Sequence, residues 1–317
     1  MSEIDLVAQA KARRPAGAPE NFHDRLVRAV FTQRSHLCVG LDPDPERLTP
    51  ALLARVAAHL ASVRLPRGDE AGMVETLGRD AAAKFLVCQS VILAARRHAV
   101  AFKPNAAFFE GTPEGEALLP ALATFAAGAH PQAIRLCDAK RGDIGNTSAQ
   151  YARAVFHGWG YDAVTVNPMM GEDCVRPFLT DPTRGAFLLC LTSNPGADDF
   201  LLPGDLYLRI AEKARAWNRL GNVGLVVGAT RPELAARVRA AAPDLPLLIP
   251  GVGAQGGALA ETLDAIDARR NPRFLINASR AIMFPDAAAL EAAGGDYGMA
   301  VEETARTLKD EIERLIA

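Results

Sequence analysis

The sequence predicts an α/β protein, a closed (β/α)8 (TIM) barrel preceded by an N-terminal helical extension. Three observations carry that prediction. Eight short apolar runs recur along the chain, each running into Gly, Pro, Asn, Asp or Ser, as strands do where turn residues end them. Ala/Leu/Arg/Glu-rich segments of helical spacing separate them, and strands alternating with helices imply parallel βαβ units. The runs are apolar nearly throughout, as strands buried on both faces are. A count of eight favours closure into a barrel over the alternative, an open doubly wound sheet.

The elements follow in order. "NFHDRLVRAVFTQRS" (residues 21–35) reads as an amphipathic helix ahead of the first strand, where it can plug the N-terminal end of the barrel. Residues 1–35 are assigned to the helical extension and 36–317 to the barrel catalytic domain. The strands are "HLCVGLD" (36–42), "AVAFKPN" (99–105), "AIRLCDAK" (133–140), "AVTVNP" (163–168), "GAFLLCLTS" (185–193), "VGLVVGAT" (223–230), "PLLIPGVG" (246–253) and "RFLINAS" (273–279). Helical spacing runs over 75–98, 206–220 and 233–242, and "LPRGDEAG" (65–72) reads as a surface insertion. No low-complexity linker marks a second domain, and an α/β barrel routinely takes roughly 200–250 residues as one domain.

Of the 317 residues 49% are hydrophobic and 23% charged, with a formal net charge of -2, which is ordinary globular composition. That balance argues against nucleic acid or an anionic membrane as a bulk electrostatic partner, while leaving room for a local phosphate site. The five cysteines (38, 88, 137, 174 and 190) include no CxxC pair. Buried thiols are expected, not a disulfide or metal framework. The opening "MSEIDLVAQAKARRPAGAPE" has no apolar signal-peptide core, and no window of about 18 uncharged apolar residues occurs. A cytoplasmic protein is expected. The six histidines show neither HxxxH nor HExxH spacing, so no zinc site is expected.

In a barrel, chemistry gathers at the C-terminal ends of the strands. There the chain delivers Asp42 from the first strand and Lys103 from the second. The third brings Asp138 and Lys140, with Asp143 three residues on; the fourth ends in Asn167 and the fifth in Thr192 and Ser193. Alternation points Asp138 and Lys140 to one side and Ala139 to the other. Opposite charges side by side hold each other ionised. A purely structural ion pair is the competing account, and it weakens once Lys103 and Asp42 arrive from neighbouring strands. Asp143 lies beyond the turn, open to two roles: a site residue, or the cap of a helix starting near Gly145. Strand seven ends in "PGVGAQGG" (250–257) and strand eight in Asn277, Ser279 and Arg280. Glycines 251, 253, 256 and 257 let backbone N–H groups approach a ligand, Gln255 can donate, and Arg280 offers a charged fork, which together suit a phosphate. Met169 and Met170 read as loop packing or as an apolar wall for a flat ligand.

These residues resemble a known family. "DAKRGDIGNT" is similar to the Asp-x-Lys-x-x-Asp signature of the orotidine 5′-phosphate decarboxylases, and "PGVGAQGG" resembles that family's phosphate loop. "GLDPDPERL", "FKPN" and "TSNPGA" fit in order, from Asp42 to Arg280, and the chain looks like the longer bacterial branch. The resemblance implies a (β/α)8 homodimer with shared active sites. It would decarboxylate orotidine 5′-phosphate to UMP and CO2, in de novo pyrimidine biosynthesis, with neither metal nor organic cofactor. Lys103, Asp138 and Lys140 would be the catalytic array, and Asp143 would be donated into the partner's site. Substrate binding would fall to Asp42 near the ribose hydroxyls, Thr147, Ser193 at the pyrimidine amide, Gly256, and Gln255 and Arg280 at the phosphate. Ser279 stands where many relatives have glycine.

Loss of CO2 from C6 of a pyrimidine leaves an electron pair in the ring plane, which resonance cannot spread. Fixed charge must stabilise it, and a lysine aimed at C6, here Lys140, can do so and then deliver the proton. Asp138 and Asp143 would keep that lysine cationic. Sugar-phosphate decarboxylases and synthases of the same superfamily share the signature but hold magnesium through an acid at the end of strand two, where this chain has Lys103. A non-catalytic nucleotide-binding barrel would not need the full array. A closing loop is expected in 194–205 or after Val252.

Overall fold

The computed structural model describes residues 20–63, 70–251 and 256–317. Within them run eight parallel strands: β1 (Leu37–Leu41), β2 (Ala101–Pro104), β3 (Ile134–Arg141), β4 (Ala163–Val166), β5 (Gly185–Leu191), β6 (Val223–Val227), β7 (Leu247–Pro250) and β8 (Phe274–Ala278). They pair in chain order, and β8 returns to β1 to close the barrel. The open sheet is thereby excluded. Closure also removes every sheet edge, so no strand is left with an unpaired ladder.

Alternation along the strands decides what meets in the middle. Cys38, Ala101, Leu136, Ala163, Phe187 and Leu275 point inward and form one buried cluster with Phe22, Leu26, Ala29 and Val30. Those last four come from α1 (Phe22–Gln33), whose first turn is capped by Asn21 accepting from the Asp24 N–H at 2.9 Å. The Phe22 ring meets Phe187 edge-on at 5.9 Å and fills the space that Gly185 leaves open, where a Cβ would lie 2.5 Å from the ring. α1 thus closes the N-terminal mouth with apolar side chains. Arg25 secures it to buried Asp162 at 2.7 Å, which Arg135 also grips. The opposite strand faces, including Phe102, Val164, Leu188, Leu225 and Ile276, pack on the outer helices.

Two residues further along those inward faces the character changes. Above Cys38, Ala101, Leu136, Ala163 and Leu275 stand Gly40, Lys103, Asp138, Thr165 and Asn277. One end of the barrel interior is apolar and plugged; the other is polar.

Seven of the predicted strands contain the observed ones and overrun them at their C-terminal ends, where turn residues extended the runs; β3 instead continues one residue past its predicted end, to Arg141. Of the expected insertion at 65–72, residues 65–69 lie outside the described ones and Glu70 opens the helix Glu70–Ala95. The five cysteines are buried and unbridged. Burial pushes the Cys38 thiol up to about 12, and Cys88, Cys137 and Cys190 higher still. Among the described residues no helix is long and apolar enough to cross a membrane.

Candidate active site

Three charged side chains meet at the polar mouth. Asp138 receives Lys103 Nζ on Oδ2 and Lys140 Nζ on Oδ1, each at 2.7 Å. Ala139, between the two β3 residues, packs outward against the outer core. Burial alone would suppress the Lys103 ammonium, but Asp138 and Asp42 outweigh it and raise its pKa above the ordinary lysine value. Burial would likewise push the Asp138 carboxyl up; the two lysines prevail and hold it well below the usual carboxylate range. At neutral pH Lys103 is therefore a cation and Asp138 an anion, and the Lys140 Nζ pairs with that same carboxylate. Asp42 acts on Lys103 through space, and its Oδ1 is buried without a hydrogen-bond partner among the described residues. Such an oxygen is an acceptor waiting for a donor.

The backbone beneath Lys140 is irregular. β3 slips register against β4 between Cys137 and Arg141, and Lys140 itself sits at φ 47. A non-glycine residue in that left-handed region costs on the order of 1–3 kcal/mol and persists only where its surroundings hold it. The Lys140 N–H donates to Thr165 Oγ1 at 2.9 Å, and the Thr165 hydroxyl donates to Asp138 Oδ1 at 2.8 Å. Thr165 is not among the residues expected at the site. Its signal was a lone hydroxyl inside the apolar run "AVTVNP". Beyond Lys140, Arg141 pairs with Glu110 and stacks over the Tyr151 and Trp159 rings at 5.2 and 5.8 Å, pinning the turn that leads to Asp143.

Asp143 stays out of the array. Its Oδ1 accepts from the Ile144 N–H at 2.7 Å, and the helix Gly145–Arg153 has Ile144 at its N-cap with no side-chain cap. The capping role left open for Asp143 is not the one observed. Thr147 is exposed in the first turn of that helix. Ser193, just past β5, is exposed beside Gly228 and Gly251. A Cβ on Gly228 would come within 2.8 Å of the Ser193 Cβ, so glycine there makes room for the serine. Arg280 opens the short helix Arg280–Met283 after β8, exposed to solvent. Gly256 opens the helix Gly256–Ala265, while Gln255 lies outside the described residues, as does Gly253. Ser279 sits against Gly40, where any Cβ would collide with its hydroxyl, so the serine is matched by a glycine across the barrel seam. Met170 turns its terminal methyl toward Gly142, and both Met169 and Met170 are exposed.

This constellation has counterparts. The model of the orotidine 5′-phosphate decarboxylase / HUMPS family matches residues 35–293. The chain belongs to that family. Curated family members include the orotidine 5′-phosphate decarboxylase of Roseiflexus castenholzii, 41% identical over 298 residues, covering 92% of this chain and 97% of the relative. That of Thermomicrobium roseum is 41% identical over 302 residues, covering 93% and 96%. Among solved family structures, Leishmania donovani OMP decarboxylase superposes with a TM-score of 0.70 at 35% identity, covering 93% of this chain and 98% of that one. Of the charged residues expected at the site, the fold brings Lys103, Asp138 and Lys140 into contact.

Proposed function

We propose that this protein decarboxylates orotidine 5′-phosphate to UMP and CO2, as its family relatives are named for doing. The observation that carries the reading is the Lys103–Asp138–Lys140 array at the open mouth of the barrel. Lys140 has its side chain half exposed, so its ammonium faces the space a substrate would enter. It stabilises the developing C6 carbanion and donates the proton that replaces CO2. Asp138 keeps that lysine charged and adds a fixed negative charge near the departing carboxylate; Lys103 neutralises its far oxygen. Asp42 takes the ribose hydroxyls, Ser193 the pyrimidine amide, and Arg280 with Gln255 and the Gly256 backbone the phosphate, with Thr147 beside Asp143.

The reading requires neither metal nor organic cofactor. A magnesium-dependent sugar-phosphate synthase needs anionic donors where Lys103 puts an ammonium, and like charge would repel the ion. The reading includes a homodimer with shared sites: Asp143 makes no hydrogen bond or ion pair with its own Lys140 among the described residues, and its neighbour Ile144 is exposed, as are Met169 and Met170. It also includes a cytoplasmic location and the division into residues 1–35 and 36–317. The test is the loss of orotidine 5′-phosphate absorbance in EDTA, with UMP identified as product. Lys140→Ala should abolish turnover and keep UMP binding. Wild-type inactivity, with turnover of a sugar phosphate on adding magnesium, would overturn the proposal.

A further inference from the structure

Thr165 is the one inward-facing residue of β4 at the polar mouth, 1% exposed, and its hydroxyl has two neighbours. The direction of both hydrogen bonds is forced. A backbone N–H only donates and an ionised carboxylate only accepts, so the hydroxyl must take the Lys140 N–H and give its single proton to Asp138 Oδ1. That same Oδ1 receives Lys140 Nζ. One hydroxyl therefore touches Lys140 at its main chain and, through Asp138, holds the far end of its side chain.

The backbone explains the need. In a regular strand the Lys140 N–H would face β2, as the Ile134 N–H does, because only alternate residues such as Arg135 and Arg141 bond toward β4. The register slip between Cys137 and Arg141 and the φ of 47 at Lys140 turn it to the β4 side instead, where Thr165 stands. A donor turned inward without an acceptor would carry the desolvation penalty of an unsatisfied N–H, added to the strain of the left-handed backbone. Thr165 Oγ1 supplies the acceptor.

We infer that Thr165 is a positioning residue: its hydroxyl holds the irregular backbone at Lys140 and orients Asp138, and so aims the lysine ammonium. It acts through those two residues and needs no contact with the substrate. The inference deepens the decarboxylase reading and rests on it for its kinetic arm only.

The variants are Thr165→Val, which keeps the shape and removes the hydroxyl, and Thr165→Ser, which keeps the hydroxyl and removes a methyl. Thr165→Val should lower kcat by about tenfold to a hundredfold, the scale on which small misplacements of a reacting group act. KM should stay within about threefold, as expected when the loss falls on the transition state. Thr165→Ser should restore kcat to within about threefold of wild type. A packing role predicts the reverse order, because serine leaves the cavity and valine does not. Unchanged kcat in Thr165→Val, or equal losses in both variants, would overturn the inference. Hydrogen exchange at the Lys140 amide gives a second readout that needs no turnover. It should be slow in wild type and in Thr165→Ser, and faster in Thr165→Val. Fast exchange in wild type would also overturn it, even if Thr165→Val did not fold. An inactive wild type with a protected Lys140 amide would sink the decarboxylase reading and leave the positioning role standing.

Discussion

Asp138 holds two lysines at the same distance, 2.7 Å, yet the two pairs should differ several-fold in strength. The difference lies in burial. The Lys103 side chain is 4% exposed and that of Asp138 13%, whereas that of Lys140 is 49% exposed. At this separation two unit charges attract by about 6 kcal/mol at an effective dielectric of 20 and by about 1.5 kcal/mol in water, before desolvation is subtracted. Removing one partner of a buried pair typically costs about 3–5 kcal/mol, because the other charge is stranded. Double-mutant cycles with Asp138→Ala should therefore give a coupling of about 2–3 kcal/mol for Lys103→Met. For Lys140→Met the coupling should be near 0.5 kcal/mol, roughly that of an exposed pair. Urea unfolding at pH 7, followed by far-UV circular dichroism with m-values compared across the cycle, measures both. Equal couplings, or a larger one for Lys140, would refute the claim that burial and not distance ranks these pairs.

Three further outcomes are expected. Because Asp143 makes no hydrogen bond or ion pair with Lys140 of its own chain among the described residues, mixing Asp143→Ala with Lys140→Ala protein should restore up to about a quarter of wild-type activity per site, since about half of the dimers are mixed and each of those carries one intact site of two; no recovery despite confirmed subunit exchange would count against shared sites. Buried His23, with Nε2 2.7 Å from the Val223 carbonyl, has its pKa lowered to about 4, chiefly by burial. Above pH 6.5 the imidazole is neutral in both states. Below it the unfolded chain takes up a proton that the folded chain refuses until about pH 4, so wild type should lose about 3 kcal/mol over that window relative to His23→Gln; parallel pH–stability curves for the two would refute this. Gly40→Ala should destabilise by at least about 1–3 kcal/mol through overpacking on Ser279, and adding Ser279→Gly should recover part of that. Thermal unfolding measures it, and no recovery would mean that the strain lies elsewhere.

Much of the site was legible because strands alternate. The spacing of Asp138 and Lys140 predicted a shared face, and the two side chains meet there. The same rule brought Lys103 in from β2, since its inward neighbour two residues earlier, Ala101, belongs to the barrel's inner core. What alternation cannot report is a break in itself. The register slip on β3 and the left-handed Lys140 have no mark in "DAKRGD", where no glycine stands at the residue that adopts it. Thr165 was overlooked for a related reason: a threonine suits a buried strand, and only its neighbours across β3 and β4 give its hydroxyl something to do.

Ser279 and Gly40 show the same division. They lie far apart in the chain, and each is unremarkable until β8 closes on β1 and sets the hydroxyl where a Cβ would have been. From the sequence alone came the repeating βαβ pattern, the apolar plug helix ahead of it, and the charged residues at the strand ends, because periodicity and turn chemistry are local properties. The tertiary structure alone decided that the eight strands close, which lysine is buried and which faces solvent, and which hydroxyl holds the bend. Those depend on which atoms from distant segments exclude water from one another.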